Sequence, residues 1–124
     1  MYNILICDDE KDIVNALKIY LNDTNYHFLE AFDGEEAVHM VETNEVHLVL
    51  MDIMMPIMDG LEATACIRAL EREDAMTVPI IAMTAKAFVD DRQKSFAAGM
   101  NEHLAKPLEA KEIIKTLVKF VVQD

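Results

Sequence analysis

The chain is short of positive charge. Eleven Lys and Arg stand against 23 Asp and Glu, giving a net charge of -12. Phosphate contacts need clustered cations, so direct binding to nucleic acid is not expected. No apolar run approaches the length that spans a bilayer, and the opening MYNILICDDE turns acidic by Asp8, unlike a signal peptide. No membrane contact is expected, and the expected location is the cytoplasm. Cys7 and Cys66 lack a metal-ligand spacing and lie in apolar-patterned segments. They are expected to be small buried fillers in a reducing compartment. There is no internal repeat and no low-complexity stretch. A Gly- or Ser/Thr-rich phosphate loop is also missing after the first apolar run, where DDEKD would repel phosphate.

What is present is enough for one folded domain over residues 1–124, with 52% apolar residues to build a core. Short apolar runs alternate with helical periodicity, the pattern of a parallel sheet covered on both faces. The strands are predicted at Asn3–Cys7, Tyr26–Ala31, Val46–Met51, Ile80–Met83 and Glu102–Ala105. Ile13, Val14, Leu17, Tyr20 and Leu21 share one face of the first helix. Ala37, Val38 and Val41 do so in the second, and Leu61, Thr64 and Ile67 in the third. A fourth helix from about Val89 is expected to turn Phe96 and Ala97 inward and stop at Gly99, its C-terminal cap. The last is expected to bury Ile113, Ile114, Leu117, Val118 and Val121. The fold class is α/β, a doubly wound (βα)5 with a five-stranded parallel sheet.

Four strand ends carry the chemistry. Asp8 and Asp9 follow ILIC, Asp52 follows LVLM, Thr84 follows IIAM, and Lys106 stands just before Pro107. In open α/β sheets ligands bind at the carboxyl edge, where these side chains emerge. An aspartate before a helix can simply cap it, and Asp52 alone could be a turn former. Capping accounts for one of two adjacent aspartates; a cation site accounts for both. Two unit charges about 4 Å apart repel by roughly 4 kcal/mol at an effective dielectric of 20. Mg²⁺, which takes oxygen ligands, relieves that repulsion. Thr84 can hydrogen-bond a phosphoryl oxygen and Lys106 can neutralise one, although singly they read as a strand-end hydroxyl and an exposed lysine. The Lys106-Pro107 step can hold a cis bond, a geometry favoured only before proline.

The order DD…D…T…KP, with ILICDDEKDI, LVLMDIMMPIMDGLEA, PIIAMTA and AAGMNEHLAKPL, resembles the receiver domain of bacterial two-component response regulators. The resemblance covers about nine-tenths of the chain and implies the CheY-like, flavodoxin-like strand order 2-1-3-4-5, a family from which the general rule on switch points takes one of its examples. It implies that Asp52 accepts a phosphoryl group from a histidine kinase or a histidine phosphotransfer domain. Asp9, Asp52 and the Met54 backbone carbonyl would hold Mg²⁺ or Mn²⁺, with Asp8 directly or through water. Thr84 and the Ala85 backbone amide would bind the phosphoryl oxygens, and Lys106 would pair with them. His103 falls at the family's switch position. Met54 and Lys86, each two residues beyond a site residue, would set the phosphate lifetime. A downstream protein would meet the face made of the fourth helix, the fifth strand and the last helix (α4-β5-α5 in the family). Such a domain is not an enzyme toward other substrates; it catalyses only its own phosphorylation and dephosphorylation.

The chain departs from the family in two ways. Its first half looks like receivers of winged-helix transcription factors, and TAKAFVDDRQKSFAAGMNEHLAKPL looks like receivers of hybrid histidine kinases. The last third also lacks the Asp/Arg-rich pattern of the transcription-factor subfamily, which sets dimerisation through that face apart from the other expectations. Two alternatives stand beside the main reading: a phosphatase of the haloacid dehalogenase type, and a receiver that is not phosphorylated and serves as an interaction module. The phosphatase needs a second Asp two residues after the nucleophile as its acid–base group, where this chain has Met54.

Overall fold

A computed structural model describes residues 2–22, 25–85 and 96–121. Five parallel strands, β1 (Tyr2–Cys7), β2 (Tyr26–Ala31), β3 (Leu48–Asp52), β4 (Ile80–Ala85) and β5 (Glu102–Lys106), form one sheet in the order β2-β1-β3-β4-β5. Helices α1 (Lys11–Tyr20), α2 (Gly34–Thr43), α3 (Gly60–Arg68), a short α4 (Glu73–Thr77) and α5 (Ala110–Val121) connect and cover it. The expected fold class and strand order are those observed.

Period-two alternation divides the apolar strands between two cores. Leu5, Cys7, Val49 and Met51 face α2 and α3, where Val41, Ala63 and Ile67 meet them. Ile4, Ile6, Leu48 and Leu50 face α1 and α5, where Val14, Leu17, Ile113 and Leu117 meet them. Burying each large aliphatic side chain contributes about 1.5–3 kcal/mol. Burial on both sides is why β3 reads as a continuous apolar run. Asp33 and Asp59 cap α2 and α3, each accepting an amide hydrogen bond at 2.8 Å, from Glu36 and Glu62 respectively.

Several expectations are corrected. The third strand begins at Leu48, not Val46, and α4 was not anticipated. Tyr20 is 40% exposed, Ile114 45% and Val118 51%, so these three do not belong to the core. Phe96 is 49% exposed, and Ala97 is exposed as well, because the helix that closes at 96–98 turns this side outward; the Phe96 ring packs against His103. Cys66 lies on the solvent side of α3. Most of the predicted fourth helix lies outside the described residues. Its stop at Gly99 is borne out: the residue has φ of 108° and its amide bonds to the Phe96 carbonyl at 3.0 Å. Among the described residues, no helix is long and apolar enough to cross a membrane.

Candidate functional site

Strand register brings the chemistry to one edge. Cys7 pairs with Met51, Asp52 with Met83, Thr84 with Ala105 and Ala85 with Lys106. Asp8, Asp52, Thr84 and Lys106 therefore stand at neighbouring carboxyl ends. The β3 end is held by its own turn, in which the Ile53 amide bonds to the Met83 carbonyl and the Gly60 amide to the Ile53 carbonyl. Glycine is required at 60, since a Cβ there would lie 2.3 Å from the Asp52 carbonyl oxygen. The same loop holds Ile57 at φ of 68°, an uncommon conformation for a β-branched residue.

Asp8 is fully buried, Asp52 and Thr84 nearly so, and Asp9 is exposed at the mouth. Lys106 Nζ lies 3.1 Å from Asp8 Oδ2 and 3.4 Å from Asp52 Oδ1, so one ammonium serves two carboxylates. The other Asp8 oxygen accepts the Glu10 amide at 2.9 Å. This settles the capping alternative. The residue at the N-cap of α1 is Glu10, with no side-chain cap bond, and Asp8 braces the loop before it. Asp8, Asp9 and Asp52 offer carboxylate oxygens all within 4.8 Å of one another.

Burial first, and the charge of Asp8 second, push the Asp52 carboxyl up from 3.8 to about 6, against the opposing pull of Lys106 and the Met54 amide. Burial works against the Lys106 ammonium, but Asp52 and Asp8 outweigh it and raise its pKa. Three carboxylates gather where one ammonium pairs with two of them, and the site is short of positive charge. A hard divalent cation with oxygen ligands fits that donor set. The Thr84 hydroxyl is buried with no hydrogen-bond partner among the described residues, at the edge where a phosphoryl oxygen would supply one.

The remaining candidates are placed less tightly. The Met54 side chain is 60% exposed beside the cleft, and it is the residue's amide that bonds Asp52. His103 pairs with Ala82, so it points to the same face of the sheet as Thr84, two residues along the neighbouring strand. Lys106-Pro107 is cis. Lys86 lies outside the described residues. Glu10 and Asp59 line the cleft with Asp9 and Asp52, roles not read from the sequence. The capping pattern Asp59-Gly-Leu-Glu62 was a legible signal for the position of Asp59. Burial pushes the Cys7 thiol well up, so it stays protonated and inert beneath the site.

Residues 4–118 match the family model of the response regulator receiver domain. Hybrid signal transduction histidine kinase B of Dictyostelium discoideum is 37% identical over 94% of the chain, and transcriptional regulatory protein YvrH of Bacillus subtilis 39% over 90%. The chain spans only 6% of the first relative's length and 45% of the second's. Among solved structures, the receiver domain of a Pseudomonas aeruginosa sensor histidine kinase, with a magnesium ion coordinated in its active site cleft, superposes with a TM-score of 0.87. It is 34% identical, and the match covers 98% of each chain. Chemotaxis protein CheY4 of Vibrio cholerae gives 0.88 at 26% identity, covering 98% of this chain and 99% of its own.

Proposed function

The chain belongs to the response regulator receiver domain family of two-component systems, and on that premise we propose that residues 1–124 form one receiver that accepts a phosphoryl group on Asp52. The observation that carries this reading is the environment of Asp52: buried, ion-paired to Lys106, crowded by Asp8, and near a Thr84 hydroxyl with no partner among the described residues. An Asp52 oxygen attacks the phosphorus of a phosphohistidine on a histidine kinase or phosphotransfer domain. A P–O bond forms, the P–N bond breaks, and the departing imidazole keeps the electron pair and takes a proton from water. Lys106 offsets charge on the acceptor, and the Thr84 hydroxyl and Ala85 amide donate to phosphoryl oxygens. Asp9, Asp52 and the Met54 carbonyl, with Asp8 directly or through water, would hold Mg²⁺ or Mn²⁺. When bound, that ion supplies the missing positive charge at the phosphoryl oxygens.

Hydrolysis of the acyl phosphate returns Asp52, and the chain acts on no other substrate. On this reading Met54 and Lys86, each two residues beyond a site residue in the sequence, would lengthen the lifetime. Movement of Thr84 toward the phosphoryl group would let the His103 ring turn inward, changing the face made of the helix closing at 98, β5 and α5, where a downstream protein would bind in the cytoplasm. NMR of the His103 ring with and without beryllofluoride reads that movement; unchanged shifts would remove His103 from the account. The haloacid dehalogenase alternative is disfavoured by Met54, whose exposed thioether cannot transfer a proton.

Incubation with acetyl phosphate and Mg²⁺, followed by intact mass, should add one phosphoryl group, and EDTA or Asp52→Asn should abolish it. Phosphorylation of the Asn variant to the wild-type extent overturns the assignment. The same time course should show faster decay in Met54→Asn with Lys86→Glu.

A further inference from the structure

Two stretches of the chain repeat one pattern. Asp33-Gly-Glu-Glu36 opens α2, and Asp59-Gly-Leu-Glu62 opens α3. In each, the Asp is the N-cap, the Gly is the first helical residue, and the Asp carboxylate accepts the amide of the Glu. In α2 the Glu36 carboxylate also reaches back to accept the Phe32 amide at 3.0 Å, which fixes that turn from both sides. The two glycines stand against opposite ends of one loop, the one between β3 and α3. Gly60 meets the Asp52 carbonyl at its start. Gly34 meets its end: a Cβ there would lie 2.0 Å from the Met58 carbonyl oxygen and 2.7 Å from the carbonyl carbon. Gly34 does not have a positive φ, so the place requires its smallness and not its conformational freedom. The Met58 carbonyl thus rests on the positive end of α2, where partial negative charge is favoured.

The loop between those two contacts has little slack. Met55 is buried, and Met58 packs against the same core. Pro56 has its φ set by its ring. Ile57 follows at φ of 68°, closing a three-residue turn in which the Met58 amide donates to the Pro56 carbonyl at 2.7 Å. A shift at Met58 is therefore passed along the chain toward Met54, whose amide bonds the Asp52 carboxylate. We propose that the first turn of α2 is a positioning element for the acceptor site: through Gly34 it clamps the far end of the β3–α3 loop and so fixes the Met54 backbone beside Asp52. Helix α2 gives the site no side chain of its own, and Gly34 is a positioning residue. The importance of the clamp for Mg²⁺ rests on the reading of Asp52 as acceptor and of the Met54 carbonyl as a ligand.

The test follows ¹⁵N amide shifts of the full chain, first in EDTA and then through a Mg²⁺ titration. Gly34→Ala should move the Asp52 and Met54 amides in EDTA and raise the Mg²⁺ dissociation constant on the order of fivefold. Asp33→Ala removes the cap and frays the turn, whereas Asp33→Asn removes the same charge and keeps a good cap. The Ala variant should therefore bind Mg²⁺ about twofold more weakly than the Asn variant, with the larger shifts at Met54. Val41→Ala trims a buried side chain of α2 about two turns from Gly34. It should lower the melting temperature and leave the Met54 amide and the Mg²⁺ affinity as in wild type. An unmoved Met54 amide in Gly34→Ala, or equal behaviour of the two Asp33 variants, would overturn the clamp. Equal loss of Mg²⁺ affinity in Val41→Ala would overturn it too, because lost stability alone would then account for the effect. The Asp33 pair decides the matter even where Gly34→Ala does not fold. A wild-type protein that binds no Mg²⁺ and takes no phosphoryl group would sink the acceptor reading instead, and the shifts in EDTA would still decide the clamp.

Discussion

The two edges of the sheet treat buried polar groups in opposite ways. At the carboxyl edge, two buried aspartates share one lysine, the Asp52 carboxyl is lifted to about 6, and the Thr84 hydroxyl has no partner among the described residues. At the amino edge, Arg68 is half-buried with no carboxylate partner among the described residues, yet all five of its N–H groups are used. It donates to the carbonyls of Ala75 and Val78, twice to that of Gly99, and to Asn101 Oδ1. Asn101 in turn exchanges hydrogen bonds with the backbone of Ile80 at the start of β4. One edge is satisfied by the protein itself; the other is left for a ligand to satisfy. Satisfied hydrogen bonds are concentrated at the amino edge and perturbed groups at the carboxyl edge, where the proposed acceptor lies.

The largest test of that division is Arg68→Ala. It should destabilise the fold by about 3 kcal/mol, because several carbonyls and Asn101 lose their donor together. A fall in melting temperature on the order of 10 °C is expected, with phosphorylation at Asp52 unaffected below the transition. A shift under about 0.5 kcal/mol, the range of an ordinary surface change, would mean that the amino edge does not depend on this residue.

Asp52→Asn should act in the opposite direction in EDTA. The folded-state pKa, about 6, lies above the ordinary 3.8. Between those values the native state holds a proton that the unfolded chain has lost, so stability falls as pH rises through this window and the full penalty stands above it. At pH 8 the Asn variant should be more stable by about 1–3 kcal/mol, and the gain should fade toward pH 4. Mg²⁺ should raise the melting temperature of wild type more than that of the variant. Urea titrations at the two pH values read the sign. A variant less stable at pH 8 would mean that the Lys106 pair outweighs the repulsion.

The carboxyl edge was legible in the sequence because each of its side chains ends or follows an apolar strand, and strand ends on a parallel sheet converge. The amino edge was not. Arg68 binds mainly backbone carbonyls of Gly99, Ala75 and Val78, and a carbonyl has no signature in the sequence. Periodicity placed Ile113 and Leu117 correctly but also enlisted Ile114, Val118 and Tyr20, since an apolar face looks the same whether covered or bare. The short α4 was missed because Glu73–Thr77 is little more than one turn and shows no repeat.

The smallest expected effect compares two threonines with almost equal burial, Thr64 at 0% exposure and Thr84 at 1%. Thr64 lies in α3 and donates to the Gly60 carbonyl at 2.7 Å, whereas the Thr84 hydroxyl has no partner among the described residues. Valine keeps the shape and removes the hydroxyl in both. At 64 the substitution loses a formed hydrogen bond and should cost about 1 kcal/mol. At 84 it removes a group already desolvated without compensation, so the unliganded protein should be unchanged or stabilised by up to about 1 kcal/mol. Opposite signs in chemical denaturation would show that the Thr84 hydroxyl makes no stabilising hydrogen bond in the unliganded protein, as expected of a group that serves a ligand. If Thr84→Val instead destabilises as much as Thr64→Val, the hydroxyl has a resting partner such as bound water, and the two edges differ less than their hydrogen bonds indicate. The same Thr84→Val protein should then respond weakly to beryllofluoride only if the hydroxyl also contacts the phosphoryl group, which separates a structural role from a signalling one.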